Sequence, residues 1–309
     1  MKRYQIFLLS LLAAVVGLLL FVPVYDYKVS FIFYLLFWIT MASSFNIIYG
    51  LTGYLPFGFV AFYGIGGYTT AFLVTKLHLS PLFAVLCAEL MGALLALLFF
   101  PTLRLKGIYF AIVNFSCALA LKTIISNLPE EIGGGSAGFS LTSVYNPAAS
   151  FYSMLVLAIL AVAAAFLVTR STLGIALRSI KQDPFAAEVL GVHTTRMKLY
   201  AWLICAVFPA MAGAIDTWYT AIIDPETGFS IMITAKAVLY GMFGGFGTVA
   251  GPVLGTVVLY HIDDLVWAHF PTFDVFLLGL VLLLLVLFMP AGIVGAIHRR
   301  YPKSRSLLR

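Results

Sequence analysis

The chain has 309 residues, 62% of them hydrophobic and only 10% charged, and its mean hydropathy is +1.06. Soluble domains carry roughly 25% charged residues, so this composition excludes a water-soluble globule and calls for a bilayer to cover the apolar surface. The net charge of +6 would fit a nucleic-acid partner in a soluble protein, but no basic face with interleaved aromatics is present, and no nucleic-acid binding is expected.

Apolar runs of membrane-spanning length follow one another along the chain. About 20 residues are needed to cross the hydrocarbon core, and ten candidates are read at 6–24, 31–49, 58–75, 81–100, 107–127, 150–169, 199–220, 231–243, 251–267 and 275–292. The runs are continuously apolar without period-2 alternation, which predicts helices and not barrel strands. The expectation is an all-α integral membrane protein with about ten transmembrane helices, forming one domain over 1–309. The first run follows Lys2 and Arg3. It is longer than a signal-peptide core and lacks an A-x-A site, so it is read as an uncleaved span.

Basic residues set the orientation. They cluster at Lys2 and Arg3, at Arg104 and Lys106, between Arg170 and Lys198, and from Arg299 to Arg309. With ten spans all four clusters fall on one side, while Glu130, Glu131, Asp224, Glu226 and Asp274 fall on the other. Lys28 and Lys76 alone break the pattern. Both termini are therefore expected in the cytoplasm.

Two uncharged, glycine-rich stretches interrupt the spans. The first holds Gly50, Gly53 and Pro56 and runs on to Gly67. The second holds Gly241, Gly244, Gly245, Gly247, Gly251, Pro252 and Gly255. Broken backbone at membrane depth is tolerated where protein covers it or where it lines a watery cavity, and transporters place such breaks beside the substrate path. Spacings such as Gly247/Gly251/Gly255 also fit close helix packing, and both readings stand. Asn46, Glu89, Asn114, Asp216 and Lys236 are polar groups inside spans, expected to face the bundle interior either as interhelical glue or along a path. Lys122 and Asp216 lie near span ends and are expected to snorkel.

The stretch from Arg170 to Lys198 reads as two short helices. The first follows Ser171, with Leu173, Ala176, Leu177 and Ile180 on one face. The second has Asp183 as N-cap, Pro184 at its first position, an apolar stripe of Phe185, Ala186, Val189 and Leu190, and Gly191 as a left-handed stop. Such a helix suits docking into a partner's groove or lying on lipid headgroups.

The segment Arg178-Ser-Ile-Lys-Gln-Asp-Pro-Phe-Ala-Ala-Glu-Val-Leu-Gly191 resembles the coupling loop of ABC importer permeases. The wider chain resembles the branched-chain amino acid permease family, LivM type. The matching pieces are Asn46 to Gly50 running on to Phe62–Tyr68, Lys106–Ala111, Gly133–Gly138, the coupling loop, Gly244–Pro252 and Pro290–Gly292. The chain departs from the family pattern near Tyr54, at Pro56 and at Ala137. The resemblance implies a type II ABC importer architecture with broken Gly-rich segments. It implies ABC ATPase subunits, a homologous second permease subunit of the LivH type, and a periplasmic substrate-binding protein docking around 128–148 and 221–230. ATPase coupling is expected at Asp183, Phe185, Glu188, Val189 and Gly191, with Glu188 meeting a basic side chain of the ATPase. A substrate path is expected at Asn46, Tyr54, Tyr63, Glu89 and Asn114. Gly50, Gly53, Gly244, Gly245, Gly247, Gly251 and Pro252 are expected as hinge or packing residues.

No P-loop is present, so ATP hydrolysis is assigned to separate subunits and the chain is not expected to be an enzyme. Gly134–Gly138 fits GxSxG and Gly133–Gly138 fits GxGxxG, but neither the strand-to-helix elbow nor the βαβ unit that gives those patterns meaning is predicted. The five histidines and three cysteines show no ligand spacing, and no metal or cofactor is expected. Solutes left open are branched-chain amino acids, urea or short amides, and other small polar molecules. An ion-coupled secondary transporter using Glu89, and a channel, are the readings of a different class.

Overall fold

The computed structural model describes residues 29–269 and, beyond them, positions 276, 279, 280, 283, 284 and 292. The expected first and last spans, 6–24 and 275–292, lie largely outside the described residues. Among the described residues the long elements are all helical. In chain order they are α1 (Val29–Phe45), α2 (Val60–Leu77), α3 (Pro81–Phe99), α4 (Ile108–Ser126), the short α5 (Glu130–Gly133), α6 (Pro147–Arg170), α7 (Thr172–Gln182), α8 (Pro184–Val189), α9 (Thr194–Thr220), the short α10 (Pro225–Gly228), α11 (Ile231–Gly244) and α12 (Ala250–His269). Six of them, some extended by a tighter or wider turn, are long and apolar enough to cross a membrane: Val29–Gly50, Phe57–Leu77, Pro81–Arg104, Ile108–Ser126, Pro147–Arg170 and Thr194–Thr220. The expected eighth and ninth spans correspond to α11 and α12.

Proline and Asx residues set many of the boundaries. Pro81, Pro147, Pro184 and Pro225 each open a helix, where a missing N–H costs nothing. Asn146, Asp183 and Asp224 cap three of these starts through side-chain oxygens. The seventh span begins earlier than hydropathy suggests. α9 starts at Thr194, not 199, and Lys198, whose charge marks an apparent end of the apolar run, is buried inside it.

α9 is the centre of the bundle, packed on α1, α2, α3 and α6. In lipid there is little hydrophobic drive between helices, so close backbone approach does the work. A Cβ on Gly66 of α2 would lie 1.9 Å from the Ala210 carbonyl oxygen of α9, and one on Gly213 would lie 2.1 Å from the Tyr63 oxygen. α3 shows the same logic as a ladder. Ala84, Ala88, Gly92 and Ala96 recur every fourth residue and are buried, while Leu82, Leu86, Leu90, Leu94 and Leu98 are exposed on the other side.

Backbone groups freed by helix irregularities find side-chain partners, as membrane depth requires. Pro209 inside α9 cannot donate to the carbonyl four residues earlier, Cys205, and the buried Ser44 hydroxyl donates to that oxygen at 2.7 Å. α3 tightens at Phe100, whose N–H turns to Leu97, and the fully buried Trp202 indole donates to the released Ala96 oxygen at 3.0 Å.

At one end of the bundle, a strand Phe139–Ser140 (β1) pairs antiparallel with Ile222–Ile223 (β2). The glycine-rich loop before β1 is explained by this contact. A Cβ on Gly138 would sit 1.9 Å from the Ile223 oxygen, so the GxSxG pattern reflects strand pairing and not a nucleophile elbow. α7 and α8 lie between α6 and α9, at the end where α9 begins.

Candidate functional site

Three groups of residues form around the broken segments and the α7–α8 pair. The first is α8 itself. Ser171 caps α7 by accepting from the Gly174 N–H, and Gly174, Leu177 and Ile180 turn inward. Asp183 caps α8, accepting from the N–H groups of Phe185 (2.8 Å) and Ala186 (3.2 Å). Gly191 ends the unit with φ +85°. Ala187 is the buried side chain of this helix, leaving Phe185, Val189 and Leu190 at 74%, 74% and 81% exposure. Three large apolar side chains are thus held outward by a capped, six-residue helix. Glu188 also has a partner within the chain. Its carboxylate accepts from the Thr194 hydroxyl and staples α8 to the start of α9, beside a cleft lined by Glu188 and residues 191–196.

The second group is the first glycine-rich break. α1 widens into a π-helical turn over Asn46–Gly50 before the chain leaves the helix. Asn46 uses both ends of its amide: Oδ1 accepts from Gly247 N–H at 2.7 Å and Nδ2 donates to the Thr248 oxygen at 2.9 Å. It therefore binds the two glycine-rich breaks to each other. A Cβ on Gly50 would lie 2.0 Å from that Asn46 oxygen and 2.8 Å from the Gly247 nitrogen, so Gly50 makes room for the clamp. Asn114 of α4 accepts from the Gly58 N–H at 2.9 Å and pins the entry to α2. Tyr54 accepts at its hydroxyl from the Lys198 ammonium (2.7 Å), which also lies 4.6 Å from the Tyr54 ring centroid. Lys181 of α7 donates to the Gly50 carbonyl at 2.9 Å, and partial burial draws its ammonium below the ordinary lysine range.

The third group lies in the far half of α9. Tyr63 donates to Asp216 Oδ2 at 2.6 Å. Asp216 does not snorkel; it is buried, with the hydroxyls of Tyr63 and Tyr34 against its carboxylate. Phe33 stacks on Tyr219 close by, and the Tyr219 and Ser30 hydroxyls share a hydrogen bond of 2.7 Å.

The expected path residues have separate partners: Gly247 and Thr248 for Asn46, Lys198 for Tyr54, Asp216 for Tyr63 and Gly58 for Asn114. Asn46, Tyr54, Tyr63 and Asn114 each serve a different clamp. Glu89 lies at the edge of the exposed face of α3, half-buried, with no hydrogen bond or ion pair among the described residues. Of the expected hinge and packing residues, Gly244 and Gly251 are in tight backbone contact. A Cβ on Gly244 would sit 1.7 Å from the Gly251 oxygen. Gly245 and Gly247 take φ of +107° and +89° in the turn between α11 and α12, and Pro252 lies in the first turn of α12. Gly53 has φ +77° and is covered by the Lys181 stem.

Lys181, Lys198 and Asp216 were not singled out as site residues by sequence. For Lys198 a signal existed: Lys198, Trp202, Cys205, Pro209 and Ala212 follow helical spacing and are all buried. Lys236, expected to be costly inside a span, is paired with Asp263 of α12 at 2.8 Å, and Tyr240 donates to the same oxygen. Lys122 pairs with Glu226 at 2.6 Å, joining α4 to α10 beside the β1–β2 pairing.

Broken spans clamped to one another, with a capped apolar helix held out between two long spans, define a multi-pass membrane permease. A family model described as branched-chain amino acid transport system / permease component matches residues 27–286, and the chain belongs to that family. It is 28% identical to the high-affinity branched-chain amino acid transport system permease protein LivM of Salmonella typhimurium, over 83% of this chain and 67% of the relative. LivM of Escherichia coli gives the same identity and coverage. The LivH permease of Salmonella typhimurium is 26% identical over 82% of this chain and 90% of its own length. No solved structure matches. Members of the family are ABC permeases, which work with separate ATPase and binding-protein partners and are not themselves enzymes.

Proposed function

We propose that this chain is the transmembrane permease subunit of an ATP-driven importer for branched-chain, aliphatic amino acids in a bacterial inner membrane. It works with cytoplasmic ABC ATPases, a second homologous permease and a periplasmic binding protein. The observation that carries the reading is α8. Phe185, Val189 and Leu190 stand exposed on a helix fixed by Asp183, Gly191 and the Glu188–Thr194 contact. Exposed apolar anchors on a short rigid helix suit a partner groove, and the helix lies between two spans, where a push reaches the bundle. In this reading the α7–α8 end faces the cytoplasm, as do both termini, in keeping with the basic residues around it. The β1–β2 end then faces the periplasm and receives the binding protein, since it joins the two segments expected for that contact. ATP shifts the equilibrium by binding one arrangement of the ATPases better than another. Urea and short amides remain as the alternative cargo within this mechanism.

Glu89 supports a second reading. A carboxylate on a membrane helix with no partner among the described residues is what proton coupling would need, and a chain using it would work without an ATPase.

Affinity purification from mild detergent tests the proposal. A P-loop ATPase is expected to accompany the natural chain and to be lost with Phe185→Asp, while membrane insertion is unchanged. Absence of any ATPase from the natural chain would refute the importer reading. Its retention with Phe185→Asp would move the contact away from α8.

A further inference from the structure

The contact between α8 and an ATPase does not by itself explain how motion reaches the spans. The carbonyl of Gly50 is the place where the two meet. A regular helix would satisfy it with the N–H four residues on, but Tyr54 N–H turns instead to the Thr52 hydroxyl at 3.2 Å. The oxygen left over accepts from Lys181 of α7. The aliphatic stem of Lys181 lies over Gly53, 3.7 Å from where a Cβ would stand. Four residues before Gly50, Asn46 holds Gly247 and Thr248. On the far side of the same break, Lys198 of α9 holds Tyr54. Hydrogen bonds from α7 and from the turn between α11 and α12 therefore meet on the same five-residue turn, Asn46–Gly50, at the end of α1.

We propose that Lys181 is the positioning residue that transmits movement of the α7–α8 pair to both glycine-rich breaks, with Lys198 bracing the Tyr54 side. The inference rests on the importer reading and adds the route of transmission within this chain. Three features suit Lys181 to the task. Its bond is charge-assisted and so stronger than a neutral one. Among the described residues its acceptor has no competing backbone donor. Its acceptor also lies in a π-helical turn, an irregularity that a small displacement can rewind. A displacement of α7 pulls on Gly50 directly, and the Asn46 clamp carries it to residues 247 and 248.

The test uses the transporter reconstituted with its ATPases and binding protein, and radiolabelled leucine as probe. Lys181→Met keeps the stem and removes the donor; Lys181→Arg keeps a donor. Leucine taken up per ATP hydrolysed is expected to fall about tenfold or more in Lys181→Met, the factor set by one charge-assisted hydrogen bond. ATPase co-purification and the ATP hydrolysis rate should persist, and Lys181→Arg should recover most of the ratio. In parallel, amide hydrogen exchange of the permease alone in detergent should rise in Lys181→Met across residues 46–54 and 244–251. A structural role alone would change exchange but leave uptake per ATP at the natural value, and that result overturns the proposal. Unchanged exchange in both segments overturns it as well. Failure of the natural chain to bind any ATPase would instead remove the importer reading beneath it.

Discussion

Replacing Asn46 with leucine removes the clamp between the two glycine-rich breaks while keeping side-chain volume. The Gly247 N–H and Thr248 carbonyl lose their partners at 2.7 and 2.9 Å. A buried main-chain group stranded this way costs about 1–3 kcal/mol. Both residues are half-buried, which favours the lower part of that range, so the pair together costs about 2–4 kcal/mol. Gly50→Ala should have the same sign by a different route, since its Cβ would collide with Asn46 Oδ1. The assay is thermal unfolding in detergent read by a thiol-reactive dye. It would report the buried Cys205 in a chain whose half-buried Cys87 and Cys117 have been replaced by alanine. Thr123→Ala is the control, because among the described residues its hydroxyl bonds only to the Leu119 oxygen within its own helix. An Asn46→Leu midpoint no lower than that of Thr123→Ala would refute the clamp.

The Tyr63–Asp216 pair should be coupled: in a cycle of Tyr63→Phe and Asp216→Asn, the double variant should be more stable than the sum of single losses implies, by about 1–3 kcal/mol; simple additivity would show that the 2.6 Å contact carries no energy. Burial pushes the Asp224 carboxyl up, but bonds from the Thr227 hydroxyl, the Thr227 and Glu226 N–H groups and the nearby Lys122 charge outweigh it, so its folded value lies below the ordinary one. That sign means its contribution is present above the unfolded value of about 3.9 and is lost as pH falls through the depressed folded value. Proteolysis or amide exchange of residues 221–230 should therefore increase at acid pH below about 4 in the natural chain, and the step should be absent in Asp224→Asn. Ser44→Ala should cost about 1–2 kcal/mol, because it strands the Cys205 oxygen that Pro209 cannot serve, and Ser44→Thr should restore part of it; a neutral Ser44→Ala would show that the oxygen is satisfied otherwise.

Continuous apolar runs and proline-led helix starts were readable because they depend on local chemistry. The bounds of α7 and α8 follow from Ser171, Asp183, Pro184 and Gly191, each acting within a few residues. The partners of in-span polar groups were not readable, because they depend on which helices meet. Asn46 is recognisable in the sequence as a polar group inside a span, but its partner Thr248 lies 202 residues away. Lys198 looked like part of a cytoplasmic basic cluster, because its charge marks an apparent end of the apolar run. Its hydrogen-bond partner, Tyr54, lies 144 residues earlier. Asp216 lies near the end of α9 and so resembled a snorkelling group, yet the hydroxyl of Tyr63 on a neighbouring helix keeps it inside. Glycines were legible as breaks but not in their roles, since Gly50, Gly66 and Gly244 are each defined by a carbonyl or amide from another segment.

The central claim is that transport is driven by ATP through the α7–α8 pair. Its most direct test is uptake of labelled leucine, with labelled urea alongside, into vesicles carrying the purified permeases and ATPases with the binding protein outside. Uptake should require ATP on the α7–α8 side, survive a protonophore, and persist in Glu89→Gln. Uptake by the permease alone on a proton gradient, abolished by the protonophore and by Glu89→Gln, would contradict the account.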